Sequence, residues 1–94
     1  MRIRYTESAL ADLRAIQKDQ AVYWKSRGAA FDARLSAIER RLVQFPQSAP
    51  QVTERPGVRV VAFLDFPFRL FYSLDEEAIK ILAIRHTSRK PLFE

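Results

Sequence analysis

Cysteine is absent from the 94 residues, which excludes disulfides, thiolate metal sites and cysteine nucleophiles. Histidine occurs once, at His86, and a lone imidazole without thiolates does not make a zinc or other metal centre, so no metal or cofactor is expected. Glycine is scarce. Gly28 and Gly57 stand far apart, so no glycine-rich backbone loop exists to cradle phosphates, and nucleotide hydrolysis is not expected. Ser8, Ser26, Ser36, Ser48, Ser73 and Ser88 lack the strand–turn–helix glycine context of a nucleophile elbow, which argues against serine hydrolysis. There is also no apolar run near membrane-spanning length, and the opening Arg2-Ile3-Arg4-Tyr5 is no apolar leader. The expectation is a cytoplasmic protein with no membrane partner.

The remaining composition is that of an ordered domain: 48% hydrophobic and 29% charged residues. At this length a single domain over 1–94 is expected, and a chain this short leaves much apolar surface uncovered unless a partner covers it. The net charge of +5 and pI near 10.1 favour an acidic partner such as nucleic acid, an acidic protein surface or anionic lipid, without choosing among them. Simple solubility is the plainer explanation of the same numbers.

Periodicity orders the elements. Arg2 to Tyr5 alternates basic and apolar, the pattern of a half-buried strand. Thr6 then caps a helix whose first turn carries Glu7 and whose Leu10, Leu13, Ile16 and Gln20 recur at helical spacing, ending near Trp24 or Lys25. Gly28 reads as the break before a second helix with the stripe Phe31, Leu35, Ile38, Leu42 and Phe45, stopped by Pro46. Gln47 to Gly57 reads as a connecting loop. Val58–Leu64, Phe68 to Ser73 or Leu74, and Ala78–Arg85 are apolar, β-branched and aromatic runs separated by turn residues, which predicts strands in hairpin succession. The expected fold class is α+β: an antiparallel sheet in the chain order β-α-α-β-β-β, with a helical hairpin packed on one face.

Alternation places Arg59 with Val61 and Phe63, Arg69 with Phe71 and Ser73, and Arg85 with Ile79, Ile81 and Ala83. If those faces coincide, Arg59, Arg69 and Arg85 form one cationic surface for phosphates or carboxylates. The alternative is that they are solvated strand residues paired with nearby acids, and a single bulge would reverse the set. His86, between Arg85 and Arg89, is a candidate for proton transfer in phosphodiester cleavage. It lacks an obvious second acid or base, since Glu54 lies in a loop and Tyr72 alternates away from Arg69, so a structural role is the other reading. Leu92 and Phe93, apolar residues near the end of the chain, suit packing on the sheet or on a partner, or belong to a frayed end.

Taken in order, several segments make the chain similar to a ParE-type member of the ParE/RelE toxin superfamily. They are Tyr5-Thr6-Glu7-Ser8-Ala9-Leu10-Ala11-Asp12-Leu13, the hairpin with Ala30 and Phe31, the Phe45-Pro46 helix end and Gly57-Val58-Arg59. Phe66-Pro67-Phe68-Arg69-Leu70-Phe71-Tyr72 and the closing Ile84-Arg85-His86-Thr87-Ser88-Arg89-Lys90-Pro91 complete the set. The resemblance implies the toxin of a type II toxin–antitoxin pair, wrapped by the C-terminal segment of a cognate, ParD-like antitoxin. It implies one of two targets: DNA gyrase, poisoned by binding, or mRNA, cut in the ribosomal A site by RelE-like members. Arg69 and Arg85 match positions where the RNase members keep arginines. The acid/base residues that some of them carry after the last strand fall near Thr87 and Ser88, whose side chains do not titrate usefully. The expectation is therefore a non-enzymatic gyrase poison using Arg59, Arg69, Arg85, Arg89, Leu92 and Phe93 as partner surface. The alternative is a ribosome-dependent endoribonuclease using Arg59, Arg69, Arg85 and His86, and a third possibility is a binding partner that has lost toxicity.

Overall fold

The computed structural model describes residues 1–23 and 25–87. Its elements are β1 (Arg2–Tyr5), α1 (Glu7–Tyr23), α2 (Lys25–Gln44), β2 (Gln51–Val52), β3 (Arg55–Ala62), β4 (Phe68–Leu74) and β5 (Ala78–His86). The five-stranded sheet runs β1-β5-β4-β3-β2. Its hairpin strands are antiparallel, but β1 pairs parallel with β5, Arg2 opposite Ala78 through Tyr5 opposite Ile81, so the sheet is mixed where a purely antiparallel one was expected. The physical reason is the hairpin: two antiparallel helices return the chain to the side it left, and later strands fill the sheet until the last lies beside the first. The short β2 is an addition within the expected loop, pairing Gln51 with Arg59 and Val52 with Arg55.

Thr6 caps α1 as its position predicts, its hydroxyl accepting the Ala9 amide at 3.1 Å. The expected break at Gly28 is not where the helices divide. Gly28 lies inside α2, which begins at Lys25; one helical glycine costs about 1 kcal/mol, and the buried stripe Phe31, Leu35, Ile38 and Leu42 outweighs it. Phe45 does not continue that stripe: α2 stops at Gln44 ahead of Pro46, and Phe45 is left exposed.

Both helices lie on one face of the sheet. There Phe31 stacks on Phe63 with ring centroids 5.0 Å apart and meets Phe66 and Phe68 edge-on, beside Leu70, Tyr72, Ile79, Ile81 and Ile84. This inner face also holds two tyrosines by their hydroxyls. Tyr5 donates to the Glu39 carboxylate at 2.6 Å and Tyr72 to the Pro46 carbonyl at 2.8 Å. Burial, then the Glu39 hydrogen bond and charge, push the Tyr5 phenol far above its ordinary value. Burial raises Tyr72 too, against the opposing pull of the Ala49 backbone and Arg59.

The turns use residues suited to them. Asp65 takes the left-handed region (φ 69°), which aspartate tolerates better than most residues, and Gly57 has φ 91°, where a side chain would be strained. In the β4–β5 turn the Asp75 carboxylate accepts the amides of Glu77 and Ala78, at 3.1 and 3.0 Å. Its pKa lies below the usual value, chiefly through the Glu77 amide.

Candidate functional site

The outer face of the sheet, away from the helices, carries Arg2, Arg4, Arg69 and Lys80 at its strand positions. Its centre is a second apolar cluster of Val58, Phe71 and Ala83, with Val52, Val60 and Leu82 packed against it. Register places the cations around it. Arg4 lies opposite Lys80, Arg69 opposite Arg85, and Arg2 begins β1 on the same alternation as Arg4. Among the described residues no strand position on this face is acidic, while Asp75, in the turn, feels the charges of Lys80 and Arg4.

Arg59, Arg69 and Arg85 do not form the single surface expected of them. Arg59 pairs with Tyr72, an inner-face residue, and its guanidinium donates to the carbonyls of Gln47 and Ala49 at 3.1 and 2.6 Å. It ties down the loop after α2. Arg69 is exposed on the outer face. Arg85 is also displaced from its expected company. A β-bulge places both Leu82 and Ala83 against Phe71, with Tyr72 opposite Ile81, so Ile79 and Ile81 point inward while Ala83 and Arg85 alternate outward. The pairing of Arg69 with Arg85 is therefore created by the bulge.

Beyond Ile81, β5 no longer has β1 beside it, and α1 takes over that edge. Thr6 donates its amide to the Ile81 carbonyl at 3.1 Å and its hydroxyl to the Leu82 carbonyl at 3.3 Å. Asp12 then accepts the Ile84 amide at 3.1 Å, and its other oxygen lies 3.8 Å from Arg85. The Arg85 guanidinium thus reaches around the edge toward α1, with its Nε buried and unbonded. His86 faces inward opposite Phe68, their rings edge to face at 5.5 Å. It lines a cavity of about 250 Å³ with Asp12, Asp19, Phe68 and Arg85. Imidazole and the Arg69 guanidinium are therefore on opposite faces, and the proposed RNase set of Arg59, Arg69, Arg85 and His86 is not brought together on either one. Arg89, Leu92 and Phe93 lie outside the described residues.

Arg2, Arg4, Lys80 and Asp12 were not singled out in the sequence. The Arg2/Arg4 alternation was visible, but its junction with Lys80 depends on the parallel β1–β5 pairing. Among the described residues no group of histidine, aspartate and glutamate is arranged to hold a metal ion, and no helix is long and apolar enough to cross a membrane.

A sequence profile of the ParE toxin of type II toxin–antitoxin systems, parDE, matches residues 3–91. The chain belongs to the ParE toxin family. Its fold is similar to that of a solved chain described as the chromosomal ParDE TA system from P. aeruginosa. The TM-score is 0.78 with 27% identity, over 94% of this chain and 97% of that one. Among curated proteins none matches. For a ParE-family chain, the arrangement offers an apolar, cation-rimmed sheet face and, among the described residues, no assembled acid–base pair upon it.

Proposed function

We propose that this ParE-family toxin acts by binding DNA gyrase and stabilising a cleaved or stalled complex, and that a cognate antitoxin neutralises it in the cytoplasm. The observation that carries the non-enzymatic reading is the separation of His86 from Arg69. Proton transfer to a phosphodiester held by Arg69 requires the imidazole within hydrogen-bond reach of the same reacting group, and the sheet lies between them. The outer face supports an antitoxin partner of complementary make-up, acidic around an apolar centre, because Phe71 and Val58 sit among Arg2, Arg4, Lys80 and Arg69.

The deciding experiment is a pair of reconstituted assays on the purified toxin: gyrase supercoiling with detection of the cleavage complex, and mRNA cleavage on programmed ribosomes. Each is run beside His86→Ala. Inhibited supercoiling with intact mRNA and an equally active variant is expected. Codon-dependent cleavage that disappears in His86→Ala would replace the gyrase reading with the endoribonuclease one.

A further inference from the structure

Four cations of the outer face form a row across three neighbouring strands. Arg2 and Arg4 share the outward alternation of β1, so they stand about 7 Å apart, and Lys80 lies one strand spacing, about 5 Å, beside Arg4. Arg69 stands on the third strand, at the level of Arg85. From Ala78, opposite Arg2, to Arg85 the row covers about 20 Å of β5. None of the four makes an ion pair among the described residues. Lys80 and Arg4 act on Asp75 only from a distance, and that exposed turn marks the Arg2 end of the row.

What else stands on the face narrows the partner. A single nucleic-acid strand is held by stacking its bases on open aromatic rings, and Phe71, the aromatic ring of this face, is only 8% exposed. Base edges are read by side chains such as asparagine and glutamine; the chain has no asparagine, and Gln51 of β2 accepts the Gly57 amide. Duplex RNA is recognised largely through its 2′-hydroxyls, and Ser73 is the one hydroxyl at an outward strand position among the described residues. Cations suited to phosphate remain. Duplex DNA presents one negative charge for about every 1.7 Å of its axis, and about 20 Å of row matches about six nucleotides of one strand.

We infer that this face docks on the phosphate backbone of duplex DNA without regard to sequence, with Arg2, Arg4, Lys80 and Arg69 each neutralising a phosphate. The guanidiniums fork onto phosphate oxygens and Lys80 acts as a point charge. The inference goes beyond the proposed gyrase binding, because it gives the toxin a contact of its own with DNA. The duplex and the acidic antitoxin proposed for this face are alternative occupants of it.

The test is fluorescence anisotropy of short labelled duplexes titrated with the full chain, without gyrase, at several salt concentrations from about 50 to 200 mM. Four phosphate contacts predict a slope of log affinity against log salt between about −3 and −4. Arg4→Ala and Lys80→Ala should each make that slope shallower by about 1 and weaken binding alike on two unrelated sequences. Lys80 is half-buried, so Arg69→Ala, at an exposed position, replaces it if circular dichroism shows Lys80→Ala to be unfolded. Arg14→Ala with Lys18→Ala removes two exposed cations from α1, on the other side of the sheet, and should leave the slope unchanged. A slope that falls equally in this helix variant assigns binding to net charge and overturns the inference. So does a single strand or an RNA duplex bound as tightly as the DNA duplex, or an unaltered slope in the outer-face variants. Gyrase takes no part in the assay, so failure here leaves the supercoiling result standing, and the reverse holds as well.

Discussion

Tyr5 and Asp12 show how much a single polar atom can decide in so small a core. The Tyr5 phenol is held neutral by burial and by the Glu39 carboxylate, whereas in the unfolded chain it ionises near pH 10. Its folded pKa is raised, so the stability it contributes is complete below about pH 10 and is lost as pH rises further, because the unfolded state then releases a proton that the fold retains. Tyr5→Phe should cost about 1–2 kcal/mol at neutral pH and make alkaline destabilisation shallower, with Tyr72 retaining part of it. Urea titrations of both proteins between neutral pH and about pH 11 measure both effects. Asp12 has two duties, accepting the Ile84 amide and facing Arg85. Asp12→Ala leaves a backbone donor without its acceptor at a covered sheet edge, which should cost about 1–3 kcal/mol in urea unfolding. Asp12→Asn, which keeps an acceptor oxygen, should cost less.

Whole elements were legible where one segment contains its own signal. The Thr6 cap, the α2 stripe and the alternation of β4 are local patterns, and each stands in the fold close to where its residues place it. Thr6→Ala should cost about 1 kcal/mol in thermal or urea unfolding, with Thr6→Ser close to the parent, since the hydroxyl is what the Ala9 amide needs. Features that depend on two segments were not legible. The extra residue at Leu82 exists only relative to β4, and it alone decides that Arg85 parts from Ile81 and joins Arg69. Likewise Arg59 was assigned the right strand neighbours, but the loop carbonyls of Gln47 and Ala49 that engage it come from a different part of the chain. The candidate site was thus visible as a set of residue types, while its division between two faces was not.

At the scale of the molecule, charge is unevenly arranged: a net +5 is expressed partly as an outer sheet face whose strand positions carry cations and no acids among the described residues. Association with an acidic partner should therefore be steered electrostatically. Its on-rate, followed by stopped-flow with a purified antitoxin, should fall as salt rises from about 50 to 500 mM, with a smaller change in the off-rate. Arg2→Glu with Arg4→Glu should flatten that dependence while leaving the helix-side core intact, since both residues are exposed.

The parallel seam between β1 and β5 also governs when the protein can exist at all. Arg2 pairs with Ala78, so β1 can join the sheet only after β5 has been made, and no fragment lacking β5 can close it. Contacts of such long sequence separation form late and slowly. A nascent chain therefore cannot complete this sheet before β5 has emerged, which leaves an interval in which a partner already present can meet the chain as it folds.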